Sequence, residues 1–462
     1  MRESAQSLMP VVVQKFGGTS VADPEAIGRL IAIVRTAHAR DGRGPAVVVS
    51  AMSGVTDELL AIARSAGTPD AGTASSRVDA LRNRHRRAAE VLVPGAASVP
   101  LIAQIDTQFD ELDAVVRALD VLREASPRTL DVVAAMGELI SSRIVAAALA
   151  AAGLPGEWVD ARRAVVTNDD FTRATPLIAE TDAAMATAVT PLLDAGRVPV
   201  LGGFVGATRD GLTTTLGRGG SDYSGALVGA GIGAREIQIW TDVDGMLTAD
   251  PRIVESPRLV PHLSFAEAAE LAYFGAKVLH PSTILPAVER NIPVRILNSR
   301  KADGTGTLIT ADPPPDPSPI TALAAKRDVT VIDITSSRML MAYGFLSRVF
   351  AVFEQHRTAV DVVTTSEVSV SVTIDDRRHL DAIVAALSGF SEVSVMRGMA
   401  LLCAVGDRLR TEPAMAARAV SVFEEVPLQM ISQAASSRNI TVILRQEDLP
   451  HAMHRLHEEF FG

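Results

Sequence analysis

An α/β fold, with a mainly parallel sheet between layers of helices, is predicted for the larger N-terminal part of the chain. Short uninterrupted apolar runs, typical of strands buried on both faces, alternate there with amphipathic helical patterns as far as residue 296. A different pattern follows a proline-rich stretch. Val368, Val370 and Val372 alternate with polar residues, as in an antiparallel strand with one solvated face. The sequence therefore predicts a large α/β domain and a smaller C-terminal region of another type.

Length and composition are those of a multidomain globular protein. The chain has 462 residues and a net charge of −10, which disfavours nucleic acid or an anionic membrane as a partner. Cys403 is the only cysteine, so neither an intrachain disulfide nor a cysteine-based zinc site can form. The first residues lack the apolar core of a signal peptide, and the apolar run at 144–153 is too short to span a bilayer. We expect a cytoplasmic protein.

The first element with chemical character is the stretch Lys15–Ser20 (KFGGTS). It follows the apolar run Val11–Val13 and precedes a helical pattern, so we predict a strand, a glycine turn and a helix. A Gly-Gly turn lets a ligand approach the backbone, the helix N-terminus favours phosphate, and Lys15 adds a positive charge. The alternative is an ordinary connection with a surface lysine, because the stretch is neither a Walker loop nor a GxGxxG motif.

A second glycine-rich loop lies at Thr213–Asp222 (TTTLGRGGSD) and leads into a helix predicted over Tyr223–Ala234. Arg218 adds a planar guanidinium, which suits bidentate binding of carboxylate or phosphate. Two loops that favour anions indicate two anionic ligands or one long one.

Two further stretches are weaker candidates for ligand binding. Ser50–Thr56 comes after a buried strand at 46–49, at the strand end where open α/β sheets bind ligands, although its hydroxyls could simply cap a helix. Glu138 is predicted in the first turn of a helix that ends at Ala152. A carboxylate in a first turn usually only compensates the helix dipole.

Trp240–Gly245 faintly matches a calcium loop, but Trp240 occupies the position of the first calcium ligand, so we predict turns instead.

A stiff, extended linker is predicted at 311–319, because its prolines exclude a helix or a central strand. After it, a βαββ pattern recurs 70 positions later, with Phe353, Ser366, Val370 and Val372 matched by Phe423, Ser436, Ile440 and Val442. Such a duplication suits paired ligand-sensing modules, or it is purely structural.

Over nearly its whole length the chain resembles the aspartate kinases of the amino-acid kinase superfamily, especially the lysine-sensitive monofunctional type. The resemblance is carried by KFGGTSV (15–21), TTTLGRGGSD (213–222), WTDV (240–243), FGAKVLHP (274–281) and TTSEVSV (364–370). It implies an amino-acid kinase domain at 10–310 and two ferredoxin-like βαββαβ ACT domains at 320–462. The first ACT domain, 328–394, is then inserted into the second, which comprises 320–327 and 395–462.

The resemblance also implies roles for individual residues. Lys15, Gly17 and Gly18 would meet the transferring phosphate, and Asp222 would orient Lys15. Aspartate would be held by Ser50, Thr56, Glu138, Phe204, Arg218 and Ser221, with Arg218 on a carboxylate and Glu138 on the ammonium. The other predicted ATP-binding residues are Phe16, Thr241, Asp242, Leu247, Arg252, Lys277 and Val278. Leu247 replaces a tyrosine frequent in relatives, which affects the prediction of adenine stacking.

The implied reaction is phosphoryl transfer from ATP, with Mg²⁺ carried by the nucleotide, to the side-chain carboxylate of L-aspartate. This is the first step of lysine, threonine and methionine biosynthesis. It needs positioning and charge neutralisation but no general base, because the attacking carboxylate is already ionised. The alternatives are a kinase for glutamate or another small acid, and an amino-acid sensor with an inert kinase domain.

Regulation is also implied. Lysine first and threonine second are the expected effectors, bound by Met339, Gly344, Asp361, Ser366 and Glu367 in the first ACT domain. Two carboxylates there would suit the two ammonium groups of lysine. Met341-Ala342-Tyr343 replaces more polar residues of lysine-sensitive relatives, which leaves the effector open. A homodimer, or a dimer of dimers, is expected through the ACT domains.

Overall fold

In a computed structural model of the chain, the described residues are 11–65, 68, 73–276, 279, 281–314, 319–336, 343–409, 414–433 and 438–462. They form two compact units. The first comprises Met1–Met246 and Leu279–Asp312, and the second comprises Leu247–Val278 and Pro313–Gly462.

The first unit is built on a mainly parallel sheet. Its strands are β1 (Val12–Phe16), β2 (Ala46–Val49), β3 (Gly156–Val159), β5 (Val198–Gly202), β8 (Glu236–Thr241), β10 (Val294–Asn298) and β11 (Thr307–Thr310). Within this unit they are ordered β3-β5-β2-β1-β8-β10-β11. All neighbouring strands are parallel except β10 and β11. The sequence pattern predicts β10 as the last strand of this domain, whereas the antiparallel strand β11 follows it. A separate three-stranded sheet contains β4 (Val166–Thr167), β6 (Val205–Thr208) and β7 (Thr213–Thr215).

Helices of the first unit surround these strands. They are α1 (Pro24–Asp41), α2 (Val55–Arg64), α3 (Ala74–Leu92), α4 (Ser98–Leu122), α5 (Pro127–Ala151), α6 (Ile178–Ala188), α7 (Thr190–Asp194), α8 (Gly220–Gly231) and α10 (Leu285–Glu289). Phe16, Ile27 and Ile144 are fully buried in one core formed by β1, α1 and α5 with their neighbours. By length and composition α5 alone among the described helices would suit a bilayer, but 83% of its apolar window is buried.

The prediction for Glu138 is wrong in one respect. The sequence places it in the first turn of a helix, whereas α5 begins at Pro127 and Glu138 lies in its interior. The earlier start has a clear cause: Ser126 accepts a hydrogen bond from the Thr129 N–H, and Pro127 stands in the first turn, where proline is tolerated. Glu138 is therefore not a dipole-compensating residue at a helix end.

The first glycine loop also differs in detail from its prediction. Lys15 and Phe16 lie inside β1, and a 3-10 helix over Gly18–Val21 separates the loop from α1. α1 begins after Asp23, whose side chain accepts a hydrogen bond from the Ala26 N–H. The backbone near Gly17 and Gly18 therefore belongs to the short 3-10 helix and not to the first turn of α1.

The second unit contains a six-stranded antiparallel sheet ordered β13-β14-β12-β15-β17-β16. Its strands are β12 (Ala322–Thr335), β13 (Val363–Thr365), β14 (Ser369–Ile374), β15 (Glu392–Val405), β16 (Leu428–Gln433) and β17 (Asn439–Arg445). The helices are α9 (Phe265–Tyr273), α11 (Phe345–Gln355), α12 (Leu380–Ser388), α13 (Met415–Ser421) and α14 (Leu449–Phe461), and β9 (His262–Ser264) precedes α9.

Two separate cores lie in this second unit. β12 and β15, each 14 residues long, pair along their length and contribute to both cores. Ile332 and Ile334 of β12 pack with α11 and α12, whereas Leu323, nearer its start, packs with α13 and α14. Ala249, Ile253 and Val254 also belong to the core that contains Leu323. The domain boundaries given above remain a prediction, and residues 247–278 group with the second unit rather than the first.

Candidate active site

The candidate site lies where β1, β2 and β8 end. Because these strands are parallel neighbours, their carboxyl ends meet at one edge of the sheet. The Gly17 N–H donates to the Trp240 carbonyl at 3.0 Å, and the Ser50 N–H donates to the Phe16 carbonyl at 3.0 Å. These bonds hold the first glycine loop and the Ser50 segment side by side at that edge.

Lys15 forms an ion pair with Asp222 at the start of α8. Its Nζ lies 2.6 Å from Asp222 Oδ1, and the two side chains are 8% and 18% exposed. A close approach of α8 to β1 makes this possible: a Cβ on Gly225 would lie 3.1 Å from Lys15 Cβ. The orienting role of Asp222 toward Lys15 stays a prediction, for which this contact is the structural basis.

A cavity of about 210 Å³ opens beside the ion pair. It is lined by Lys15, Thr56, Glu138, Phe204, Gly217, Gly219, Gly220, Ser221 and Asp222. Six of these residues were predicted from the sequence as catalytic or substrate-binding. Ser50 and Arg218, which were also predicted, do not line the cavity; Arg218 belongs to the same loop as Gly217 and Gly219 and is exposed.

Glu138 is the most perturbed acid of the cavity. It is only 3% exposed, and its Oε2 has no hydrogen-bond partner among the described residues. Burial raises the pKa of Glu138 to about 8, although the backbone N–H groups of Ala51 and Glu138 and the charge of Lys15 oppose the shift. A buried acceptor without a partner on a cavity wall suits a ligand that brings a cationic donor.

Phe204 also lines the cavity, and its backbone is unusual. Its φ of 65° lies in the left-handed region, which bulky residues rarely adopt. The Phe204 N–H donates to Ser224 Oγ at 2.9 Å, and the ring packs on Gly220, where a Cβ would lie 2.7 Å from Cδ2. Strain of this kind is common at ligand sites.

The predicted nucleotide residues fall into three groups. Thr241 is the last residue of β8 in the first unit, Asp242 follows it, and Thr241 Oγ1 donates to Asp242 Oδ1 at 3.2 Å. Leu247 and Arg252 belong to the second unit, where Arg252 forms an exposed ion pair with Asp250. Lys277 and Val278 lie outside the described residues.

Ser20 and Ser299 were missed by sequence reasoning. Ser20 is 1% exposed, and its Oγ donates to Ser299 Oγ at 2.8 Å. The Ser299 N–H in turn donates to the Thr241 carbonyl at 2.8 Å. Only the position of Ser20 within the first glycine stretch could have indicated its place at this edge; nothing in the sequence near Ser299 does so.

The predicted effector residues lie in the second unit, except Met339, which is outside the described residues. Gly344 precedes α11 with a φ of 82°, and Glu367 is exposed in the turn between β13 and β14. Ser366 closes that turn by accepting the Ser369 N–H at 3.1 Å. Asp361 is already paired with Lys326, whose Nζ lies 3.0 Å from Asp361 Oδ1.

A larger cavity, of about 630 Å³, lies against the other face of the sheet, to which Gln14 points because side chains alternate along β1. Gln14 Nε2 donates there to Gln238 Oε1 at 3.0 Å, and Gln238 Nε2 donates to Glu236 Oε1 at 2.8 Å, whereas Gln14 Oε1 has no hydrogen-bond partner among the described residues. Arg295 pairs with Glu236. None of the predicted site residues lines this cavity, so we assign the site to the smaller one.

Comparison of this chain with known proteins identifies the family to which it is similar. A family profile described as "Amino acid kinase family" matches residues 10–298, and one described as "ACT domain" matches residues 402–460. The chain is 36% identical to lysine-sensitive aspartokinase 3 of Escherichia coli (strain K12), over 98% of this chain and 99% of that protein. It is 37% identical to the chloroplastic aspartokinase 3 of Arabidopsis thaliana, over 97% of this chain and 81% of that protein.

Solved structures agree. Aspartokinase III of E. coli in complex with aspartate and ADP (R-state) matches with a TM-score of 0.83 and 36% identity, covering 98% of this chain and 100% of that one. The same enzyme in complex with lysine and aspartate (T-state) matches with a TM-score of 0.82 and 36% identity, with the same coverage. The chain therefore belongs to the aspartokinase family, with an amino-acid kinase domain and a C-terminal ACT region.

Proposed function

We propose that this protein transfers the γ-phosphoryl group of ATP to the side-chain carboxylate of L-aspartate and forms 4-phospho-L-aspartate. One observation carries the proposal: the Lys15–Asp222 ion pair and the carboxyl of Glu138, whose Oε2 has no hydrogen-bond partner among the described residues, line one cavity of about 210 Å³. Such a cavity offers a cation for a phosphate and an acid for an ammonium group.

On the phosphate side, Lys15 is the mobile charge that follows the transferring group. Asp222 holds the Lys15 ammonium in place, and the Gly18 turn and the N-terminus of α8 adjoin this ion pair, although the Gly17 N–H is already bonded to the Trp240 carbonyl. Mg²⁺ bound to the nucleotide would neutralise charge on the phosphate oxygens.

On the aspartate side, the carboxyl of Glu138 takes the ammonium and Arg218 takes the α-carboxylate. Ser50, Thr56 and Ser221 supply hydroxyl donors near the reacting carboxylate. Phe204 lines the cavity, and the neighbouring Gly203 allows close packing on Ser221: a Cβ on Gly203 would lie 2.9 Å from Ser221 Cα.

We propose that Thr241 and Asp242 of the first unit contact ATP. Leu247, Arg252, Lys277 and Val278 remain predicted nucleotide residues from the family resemblance, in which leucine at 247 would offer adenine apolar contact rather than aromatic stacking.

Trapping the acyl phosphate tests the reaction. With ATP, Mg²⁺ and hydroxylamine, the wild-type protein should give aspartyl hydroxamate, and glutamate should give none. Hydroxamate only with glutamate would assign the protein to the alternative kinase. Absence of ADP formation with either acid would make it a sensor with an inert kinase domain.

We also propose inhibition by lysine at the first ACT domain, through Met339, Gly344, Asp361, Ser366 and Glu367. The E. coli relative is lysine-sensitive by name and is solved with lysine. In this chain Lys326 neutralises Asp361, so a cationic effector would have to replace an internal ammonium group.

Finally, we propose a cytoplasmic homodimer, or a dimer of dimers, that associates through the ACT region. Val363 of β13, Val368 beside β14, and Leu346 and Phe350 of α11 are 38–41% exposed, an apolar surface that suits a subunit contact. Sedimentation velocity with and without lysine would test the oligomeric state.

A further inference from the structure

Asp131 is a buried acid that neither the sequence motifs nor the proposed substrate contacts include. It lies on α5, is 1% exposed and accepts three hydrogen bonds. Thr215 Oγ1 donates to Asp131 Oδ1 at 2.5 Å, while the N–H groups of Thr215 and Thr172 donate to Oδ2 at 3.1 and 2.9 Å. No basic side chain of the described residues forms an ion pair with it. A buried carboxylate satisfied only by neutral donors is unusual and indicates a specific task.

The three donors come from two segments that meet beside the substrate cavity. The Ala174 N–H donates to the Thr215 carbonyl at 2.9 Å, which joins the segments directly. A Cβ on Gly217 would lie 3.2 Å from the Thr172 carbonyl, so a side chain at 217 would disturb this contact. Thr215 ends β7, and Gly217 and Arg218 follow it within three residues.

Thr172 adopts a conformation that needs support. Its φ is 73°, in the left-handed region, which is a rare outlier for a β-branched residue. Such a backbone persists only where its surroundings hold it, and the hydrogen bond from Thr172 N–H to Asp131 is one such restraint.

Asp131 and Glu138 share a helix face. They are seven residues apart on α5, which is close to two full turns, so both point in nearly the same direction about 10 Å apart along the axis. One rigid helix therefore carries the acid proposed for the aspartate ammonium and the acid that fastens the loop of Arg218.

We propose that Asp131 is a positioning residue for aspartate: it fixes the loop of Gly217 and Arg218 at a set distance from Glu138. The inference rests on the proposed roles of Glu138 and Arg218. If this loop is loosened, Arg218 is no longer held at a fixed distance from Glu138, whereas Lys15 and the nucleotide residues are held by other contacts. The affinity for aspartate should therefore decrease, and the affinity for ATP should not change.

Four variants test this: Asp131→Asn, Thr215→Val, Thr215→Ser and the double variant Asp131→Asn/Thr215→Val. Asp131→Asn should raise KM for aspartate at least tenfold, with KM for ATP unchanged within twofold and kcat within about threefold. Thr215→Ser keeps the hydroxyl donor and should behave as wild type, whereas Thr215→Val should raise KM for aspartate less than Asp131→Asn does. Because Asp131 and Thr215 act through one shared contact, the double variant should raise KM for aspartate by less than the product of the two single effects.

Leu119→Ala, in the core part of α4, is the control for a general loss of stability, and thermal unfolding is measured for every variant. It should lower Tm without a selective rise in KM for aspartate. Thr215→Val leaves both backbone donors to Asp131 intact, so it provides the test if Asp131→Asn does not fold. Equal rises in KM for ATP and aspartate, an unchanged KM for aspartate, or the same selective rise in Leu119→Ala would overturn the inference. A wild-type protein without aspartate-dependent ADP formation would instead overturn the proposed function.

Discussion

Lys326 and Asp361 form an ion pair in the second unit, with Nζ 3.0 Å from Oδ1 and side chains 19% and 6% exposed. The same ammonium lies 3.3 Å from Asp375 Oδ2 and 4.9 Å from the centre of the Tyr273 ring. Burial raises the pKa of Asp361, although Lys326 and a hydrogen bond with Tyr273 oppose the shift, and by distance criteria Asp361 Oδ2 has no close partner among the described residues. The Asp361 carboxylate, which we propose binds the effector, is thus already paired with the Lys326 ammonium through one of its oxygens.

Lys326→Met should make the protein more sensitive to lysine. Removing the internal ammonium leaves Asp361 without its competitor, so we expect the lysine concentration for half-inhibition to fall at least threefold. Dose–response curves at fixed ATP and aspartate measure this. Arg378→Met, which removes an exposed ion pair with Asp376, is the control and should leave the curve unchanged. A higher half-inhibitory concentration would mean that Lys326 builds the effector site instead of competing for it.

Lys15→Ala should lower kcat about 10²- to 10³-fold, with KM for aspartate changed by less than about threefold, because its contact with the moving phosphoryl group strengthens in the transition state. Steady-state kinetics of ADP release measure both constants. Lys301→Ala is the control, since this lysine of the same unit is 65% exposed and pairs only with Asp244 among the described residues. An effect of Lys15→Ala on KM alone would contradict the assigned role.

Arg218→Ala should show the opposite pattern. Its contact with the α-carboxylate is present in both ground and transition states, so KM for aspartate should rise roughly 30-fold or more while kcat stays within about fivefold. Arg209→Ala removes another exposed arginine of this unit, paired with Glu180, and should change neither constant. If Arg218→Ala lowered only kcat, the roles of Lys15 and Arg218 would have to be exchanged.

The sequence predicts much of this site because its main parts are local. Lys15 follows an apolar strand and Arg218 precedes a helix, so each loop can be recognised within ten residues. Asp131 could not be found in this way, because its donors Thr172 and Thr215 are 41 and 84 residues away and are ordinary threonines. The helix around Glu138 was predicted too short because Ser126 and Pro127, which begin it, were not recognised as a start signal. The Lys326–Asp361 pair likewise depends on tertiary contact alone.

Glu138 should make aspartate binding depend on pH. In the unliganded protein its pKa is about 8, so at pH 7 the carboxyl is mostly neutral, whereas an ammonium group requires the ionised form. KM for aspartate should therefore fall as pH rises from about 6.5 to about 8.5. Glu138→Gln should raise KM and remove this pH dependence. A KM that is constant across this range in the wild type would contradict the assignment.

The same group gives a signed prediction for stability. Because the pKa of Glu138 in the folded state is raised above its ordinary value of 4.5, the folded protein binds more protons than the unfolded chain between these two values. Its contribution to stability therefore falls as pH rises through this interval and levels off above about 8. Urea unfolding without aspartate should show Glu138→Gln gaining on the wild type from pH 5 to pH 8. A constant difference would contradict the raised pKa.

Glu367→Ala tests the effector site from its exposed side. Glu367 lies in the turn between β13 and β14, and we propose that it binds the second ammonium group of lysine, while Asp361 binds the first. An effector inhibits only by binding the inactive arrangement more tightly than the active one, so loss of this contact weakens inhibition without touching catalysis. We expect kcat and both KM values to stay within twofold and the half-inhibitory lysine concentration to rise at least tenfold. Glu392→Ala, which removes an exposed acid at the start of β15, is the matched control and should leave inhibition unchanged.

Threonine distinguishes the roles of Asp361 and Glu367 further. With a single ammonium group it needs only one carboxylate, so Glu367→Ala should affect inhibition by threonine less than inhibition by lysine. Wild-type activity that ignores both amino acids at millimolar concentration would contradict the proposed effector site, and Tyr343, fully exposed beside Gly344, would then be the first residue to replace.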